Sequence, residues 1–255
     1  MISLAGVVFV GCAGAASLTI SPTQRSTQSV GSARSIDAPP TAPRTTAQSA
    51  PSTSAVWRYV ALGDSYTIGT SVKQRDRWPN QLVRTLRPDA DLTLVQNLAT
   101  NGASTADLIA KQLPALDGLD PDVVSLLIGV NDVVQDVDVD TYRTNLRSIL
   151  THLASQMPAG HVVVVTTPDY TLTPAGSDYG DPSRQSARIK AFNAVLEEEA
   201  SRAGMVIADI TPVSDLVPGD ATQVASDGLH PSAKQYAGWV ELIAPQVREM
   251  LTSGK

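Results

Sequence analysis

From Val56 onward the chain alternates between short apolar runs and longer stretches of mixed polarity. The runs are Trp57–Leu62, Leu92–Asn97, Val123–Ile128, His161–Thr166 and Met205–Ile210. Each has the length of a strand. Two of them, Val123-Val124-Ser125-Leu126-Leu127-Ile128 and Val162 to Val165, are apolar almost without interruption, the pattern of strands covered on both faces. Between and after them, stretches near 75–87, 104–116, 140–156, 183–203 and 231–251 read as helices. This alternation predicts right-handed βαβ crossovers and a parallel sheet of five strands inside a three-layer α/β/α domain spanning residues 56–255. Ligands bind such sheets beyond the carboxyl ends of the strands, so chemistry should follow the apolar runs.

After the first run comes Gly63-Asp64-Ser65-Tyr66-Thr67. A serine at a strand-to-helix turn is held forward beside the N–H groups of the next helical turn, although Asp64 or Ser65 would also serve simply as a helix cap. After the second run, Ser104 and Asp107 have the spacing of a capping box, which puts Gly102 just ahead of a helix N-terminus. After the third, Asn131 can offer an amide donor to the same crevice and Asp132 can brace the loop; an ordinary Asn/Asp turn is the plain alternative. Ahead of the last helix, Asp227 stands three residues before His230 across Gly228, and Pro231 suits the first turn of that helix. An aspartate so placed can accept the His Nδ1 proton and leave Nε2 free as a base. His152 and His161, within a helix and opening a strand, read as structural.

Taken together, these four segments resemble the GDSL/SGNH hydrolase family, whose sequence blocks carry Ser, Gly, Asn and His. The matching residues are Ser65, Gly102, Asn131 and His230, in the family's order, with Asp227 at the D-x-x-H position and GDSYT in place of GDSL. The resemblance covers roughly residues 58–250. It implies a flavodoxin-like three-layer fold and hydrolysis of esters or thioesters. It also implies a Ser65–His230–Asp227 triad and an oxyanion hole of the Ser65 and Gly102 N–H groups with the Asn131 amide. No cofactor or metal is implied.

Charge narrows the partners. The first 55 residues carry only Arg25, Arg34, Arg44 and Asp37 as charged side chains, which leaves 16 basic and 24 acidic residues in the remainder. A broad basic footprint is absent, so nucleic acid is not expected as a partner. One cysteine and three histidines exclude an intrachain disulfide and a Cys/His zinc cluster.

Residues 1–20 hold no charged side chain. Three readings stay open: a signal cleaved at Ala13-Gly14-Ala15, a lipobox around Phe9-Val10-Gly11-Cys12 that would lipidate Cys12, or an uncleaved anchor. The organisation expected is therefore a secretion or lipoprotein signal over 1–16, a disordered Ser/Thr/Pro/Ala-rich tether over 17–55, and the hydrolase domain over 56–255. A protein of this build is exported, either secreted or held at a bacterial-type cell surface, with a possible membrane tether through Cys12. It is expected to be a monomer.

Two rival readings belong to other classes. The hydroxyl-rich stretch from Ser65 to Thr70 would also suit the phosphate loop of a flavodoxin-like FMN-binding module, though only 4% of the chain is aromatic and Asn131, Asp227 and His230 would then have no task. A catalytically silent domain that only binds glycan or lipid is the other. For an enzyme, short acyl chains fit best. Acetylated glycan, lysophospholipid and thioester substrates all stay open, and the long polar segment Thr167–Arg184 is placed either to line the site or as a plain surface loop. Tyr66 is a candidate for shaping the acyl pocket, and Trp78 reads mainly as core.

Overall fold

The computed structural model describes residues 56–253. The signal expected over 1–16, the tether expected over 17–55 and Cys12 lie outside the described residues. Five strands form one parallel sheet in the order β2-β1-β3-β4-β5. They are β1 (Trp57–Gly63), β2 (Leu92–Asn97), β3 (Val123–Leu127), β4 (Val162–Val165) and β5 (Val206–Ala208). Each falls on a run expected from the sequence, β5 being the shortest. β3 and β4 are buried at every position, as strands covered on both faces must be. The order reverses at β1, whose neighbours are β2 and β3, so the crevice for a ligand opens where β1 and β3 end side by side, with Gly63 in register with Leu127.

The strands are followed by α1 (Ser65–Ile68), α2 (Trp78–Leu86), α3 (Thr105–Asp107), α4 (Leu113–Leu116), α5 (Val130–Val134), α6 (Val139–Gln156), α7 (Pro182–Arg202), α8 (Thr211–Ser214) and α9 (Ala233–Ser253). Local chemistry starts the long ones. Asp138 caps α6 through the Thr141 N–H at 2.8 Å, and Asp181 caps α7 through the Arg184 N–H at 2.8 Å, with Pro182 in its first turn. α2 packs against α9, and α6 against α7. Between the latter two, Arg143, Arg147 and Arg202 all reach the buried carboxylate of Glu199, so its burial is matched by charge-assisted hydrogen bonds.

Three details differ from the sequence reading. The helix expected over 75–87 begins as a 3₁₀ turn at Gln74–Asp76, and α2 proper starts only at Trp78. The helix expected over 104–116 is interrupted by a π-helical stretch, Leu108–Gln112, between α3 and α4. Pro231 is not in the first turn of the last helix. It forms an antiparallel bridge with Val224, and α9 starts at Ala233, where Ser232 Oγ accepts the Gln235 N–H at 3.3 Å. Backbone bonds from Ala225 N to His230 O and from Ser232 N to Gln223 O hold Pro231 in that bridge, which postpones the helix.

Candidate active site

The site begins where β1 ends. Gly63 has φ +150°, and a Cβ there would stand 2.4 Å from the Leu127 carbonyl oxygen and 2.6 Å from Thr67 Oγ1, so only glycine lets β1 turn this close to β3. The Gln112 side chain grips the same residue from both sides. Its Oε1 accepts the Gly63 N–H at 2.9 Å, and its Nε2 donates to the Gly63 carbonyl at 2.7 Å. Gln112 ends the π-helical stretch, a kind of irregularity that often marks functional sites. Asp64 then caps α1, accepting the Tyr66 N–H at 2.9 Å. Its carboxyl is wholly buried. Burial pushes it up to about 7, against the pull of the Tyr66 N–H and with a further push from Asp132. Ser65, the first residue of α1, is half-buried and faces a cleft.

The loops after β2 and β3 are stitched to each other beside it. Ser104 and Asp107 form the reciprocal capping box expected from their spacing, and Gly102 sits just before it at φ +75°, exposed. Asn131, in α5, donates one Nδ2 hydrogen to the Ala103 carbonyl at 2.9 Å, and an amide carries a second. Asp132 is buried and accepts both the N–H of Thr105, at 2.9 Å, and its hydroxyl. Burial raises the Asp132 carboxyl while Thr105 draws it back down. Asp132 therefore braces the loop, as its place in the sequence suggested.

Opposite stand Asp227 and His230. His230 Nδ1 lies 2.7 Å from Asp227 Oδ2, while Oδ1 of the same carboxylate accepts the N–H groups of Leu229 and His230 at 2.9 Å each. Partial burial pushes Asp227 up, but the hydrogen bonds from Ser71, from these two N–H groups and from the imidazole outweigh it. They hold the carboxyl well below the usual range. With Nδ1 engaged, Nε2 is the ring nitrogen left to serve as a base.

One small cleft, with about 40 Å³ of room, is lined by Ser65, Asn131 and His230 together with Tyr66, Tyr170 and Tyr179. Tyr66 packs against the imidazole with ring centroids 5.7 Å apart and continues onto Trp239 at 6.2 Å. Trp78 is fully buried away from the cleft. The segment 167–184 does reach the site: Tyr170 and Tyr179 come from it, and the Ala175 N–H bonds to the Gly228 carbonyl at 2.9 Å. His152 pairs with Asp117, and His161 with the Asp122 carbonyl, both elsewhere. A roomier hollow of about 560 Å³ lies between α6 and α7, but no histidine lines it and its charged groups, Arg147, Glu199 and Arg202, are engaged with one another in ion pairs. Among the described residues no group of three or more His, Cys, Asp or Glu could hold a metal ion.

Sequence reasoning missed Gln112 and Ser71. Neither belongs to a motif, and Gln in a helix or Ser in a turn gives no sign of its distant partner.

The family model of the GDSL-like lipase/acylhydrolase family matches residues 61–237. No curated protein matches the chain. Among solved structures, the lipase/acylhydrolase from Enterococcus faecalis shares 24% identity at a TM-score of 0.61, over 76% of this chain and 96% of that one. An acetylxylan esterase from Geobacillus stearothermophilus shares 18% at 0.58, over 76% and 94%. A psychrotrophic esterase from Pseudoalteromonas, in a structure inhibited by monoethylphosphonate, shares 18% at 0.59, over 76% and 98%. At these identities the likeness establishes a common fold.

Proposed function

The chain belongs to the GDSL-like lipase/acylhydrolase family and is a hydrolase of esters; from that premise we propose that it works through an acyl-enzyme on Ser65, with His230 as base and Asp227 as its orienter. The observation that carries this reading is the 2.7 Å contact between Asp227 and His230 Nδ1 at the wall of the cleft that Ser65 also lines. His230 Nε2 takes the Ser65 proton as Oγ attacks the ester carbonyl. The imidazolium so formed is stabilised by Asp227 and returns the proton to the leaving alcohol. Water, with its proton taken by His230, then attacks the acyl-enzyme, and His230 returns that proton to Ser65 Oγ as the acid is released. The oxyanion is met by the N–H groups of Ser65 and Gly102 and by the second Nδ2 hydrogen of Asn131. One such donor is typically worth about 2.7–4 kcal/mol in the transition state.

A phosphonate ester is the direct test. It should add once per chain, at Ser65, and Ser65→Ala should abolish both labelling and turnover while the fold survives. Labelling elsewhere, or near-native turnover of the alanine variant, refutes the nucleophile. Asp227→Asn should lower kcat by roughly 10⁴, by analogy with the protease triad. A loss below about tenfold would remove Asp227 from the role.

For the substrate we propose short acyl chains. A cleft of about 40 Å³ walled by three tyrosines supports acetyl-sized groups over long lipid tails. Acetylated glycans are one source, in line with the acetylxylan esterase among the structural relatives; lysophospholipid and thioester substrates are the others. A panel of esters graded by chain length should show kcat/KM falling steeply beyond butyryl. Equal rates on dodecanoyl esters would refute this. Export is proposed on sequence alone, from the uncharged residues 1–20 and the Ser/Thr/Pro-rich tether. N-terminal mass spectrometry of the mature protein separates lipidated Cys12, cleavage after Ala15 and a retained anchor.

A further inference from the structure

We propose that Ser71 is a positioning residue for Asp227, completing the carboxylate's hydrogen-bond set from outside its own loop. The inference rests on the reading of Asp227 as the orienter of His230. A carboxylate has about four lone-pair sites. Three are filled from the segment 227–230 itself: the Leu229 and His230 N–H groups on Oδ1, and His230 Nδ1 on Oδ2. The fourth donor is the Ser71 hydroxyl, 2.5 Å from Oδ2, the oxygen that also holds the imidazole. It arrives from 156 residues away in sequence. Without it, Oδ2 would be free to pivot about the Oδ1 contacts and carry the imidazole with it.

The backbone at Ser71 is a second, independent observation. Ser71 has φ +65°, a left-handed conformation sparsely populated by residues other than glycine, asparagine and aspartate. Such outliers persist where the surroundings over-determine them, and they gather at functional sites. Here the surroundings are visible. The turn Gly69–Ser71 ends α1, the short helix that Ser65 opens, with the Gly69 and Thr70 N–H groups both bonded to the Ser65 carbonyl. Thr70 Oγ1 donates to Asn101 Oδ1 at 2.5 Å, next to Gly102. One short turn therefore reaches from Ser65 to the Gly102 loop on one side and to the Asp227 loop on the other. Ser71 accepts an unfavourable backbone in order to place its hydroxyl.

This separates stability from turnover. Ser71→Gly relieves the backbone and removes the hydroxyl, so Tm should hold or rise while kcat falls roughly three- to tenfold, the loss of one net hydrogen bond that water partly replaces, with KM little changed. Ser71→Ala should lower kcat equally. Ser71→Thr keeps the hydroxyl on a β-branched residue ill-suited to positive φ, so Tm should drop while kcat stays near native. Native kcat in Ser71→Gly, or an equal kcat loss in Ser71→Thr, overturns the proposal. Asp227→Asn in the same assay keeps the two readings apart. If it is nearly inactive while Ser71→Gly is native, only the Ser71 proposal fails. If Asp227→Asn turns over normally, the orienter reading fails and the Ser71 proposal falls with it.

Discussion

Asp64→Asn should change how stability depends on pH, in a direction set by burial. In the folded chain the Asp64 carboxyl is pushed up to about 7, first by desolvation, from its usual 3.8. Between those two values the folded chain keeps a proton that the unfolded chain has released. Stability linked to this group is therefore fully present below about 4 and is lost as pH rises to about 7. About three units at 1.36 kcal/mol each gives a loss of about 4 kcal/mol across the window. Asparagine keeps an oxygen for the Tyr66 N–H and stays neutral at every pH, like the protonated acid it replaces. In a domain of this size that loss corresponds to a Tm difference of roughly 10 °C. Depressed groups such as Asp107, Asp220 and Asp227 lose their contribution only at lower pH, so they lie outside the window. The part of the Asp132 shift that comes from its own burial is common to both proteins. Thermal unfolding followed by circular dichroism from pH 4.5 to 8.5 should show the two Tm curves close together at the acid end and diverging above it, with the asparagine variant the more stable at pH 8. Parallel curves, or a variant less stable than the wild type at pH 8, would refute the reasoning.

Other outcomes follow from the same geometry. If Asn131 fills the proposed oxyanion-hole role, Asn131→Ala should lower kcat by about 10²–10³ with little change in KM, because a donor of that kind matters only as charge develops on the carbonyl oxygen. A variant with reduced Tm and normal turnover would leave Asn131 as a loop brace through Ala103 alone. Gly63→Ala should cost at least about 2 kcal/mol in denaturant unfolding and most of the activity, since its Cβ would meet the Leu127 carbonyl at 2.4 Å; wild-type stability would contradict that contact. A chain starting near Ser54 should retain full kcat/KM on a soluble ester, and a marked loss would mean that residues 17–53 contribute to the domain.

The five strands, their order along the chain and the residues at their ends were legible because the signals are local. An unbroken apolar run of strand length reports burial on both faces wherever it sits. The Ser104–Asp107 box and the Asp227–His230 pair each span three residues, so turn chemistry alone brings their atoms together. Even here the boundaries moved where packing intervened: Pro231 was drawn into a bridge with Val224, and the helix began after it. What the tertiary structure alone decided are contacts that polar side chains make with residues far away in sequence. Gln112 grips Gly63 across 49 residues, Asn131 meets Ala103 across 28, and Ser71 reaches Asp227 across 156. Each of these depends on which strands lie side by side, and Ser, Gln and Asn are equally at home in solvent, so their type carries no sign of a partner. The protonation of Asp64 belongs with them. An acid beside a serine reads as a helix cap in any sequence, and only its burial in the fold, with Asp132 brought near it, moves its proton affinity toward neutral pH.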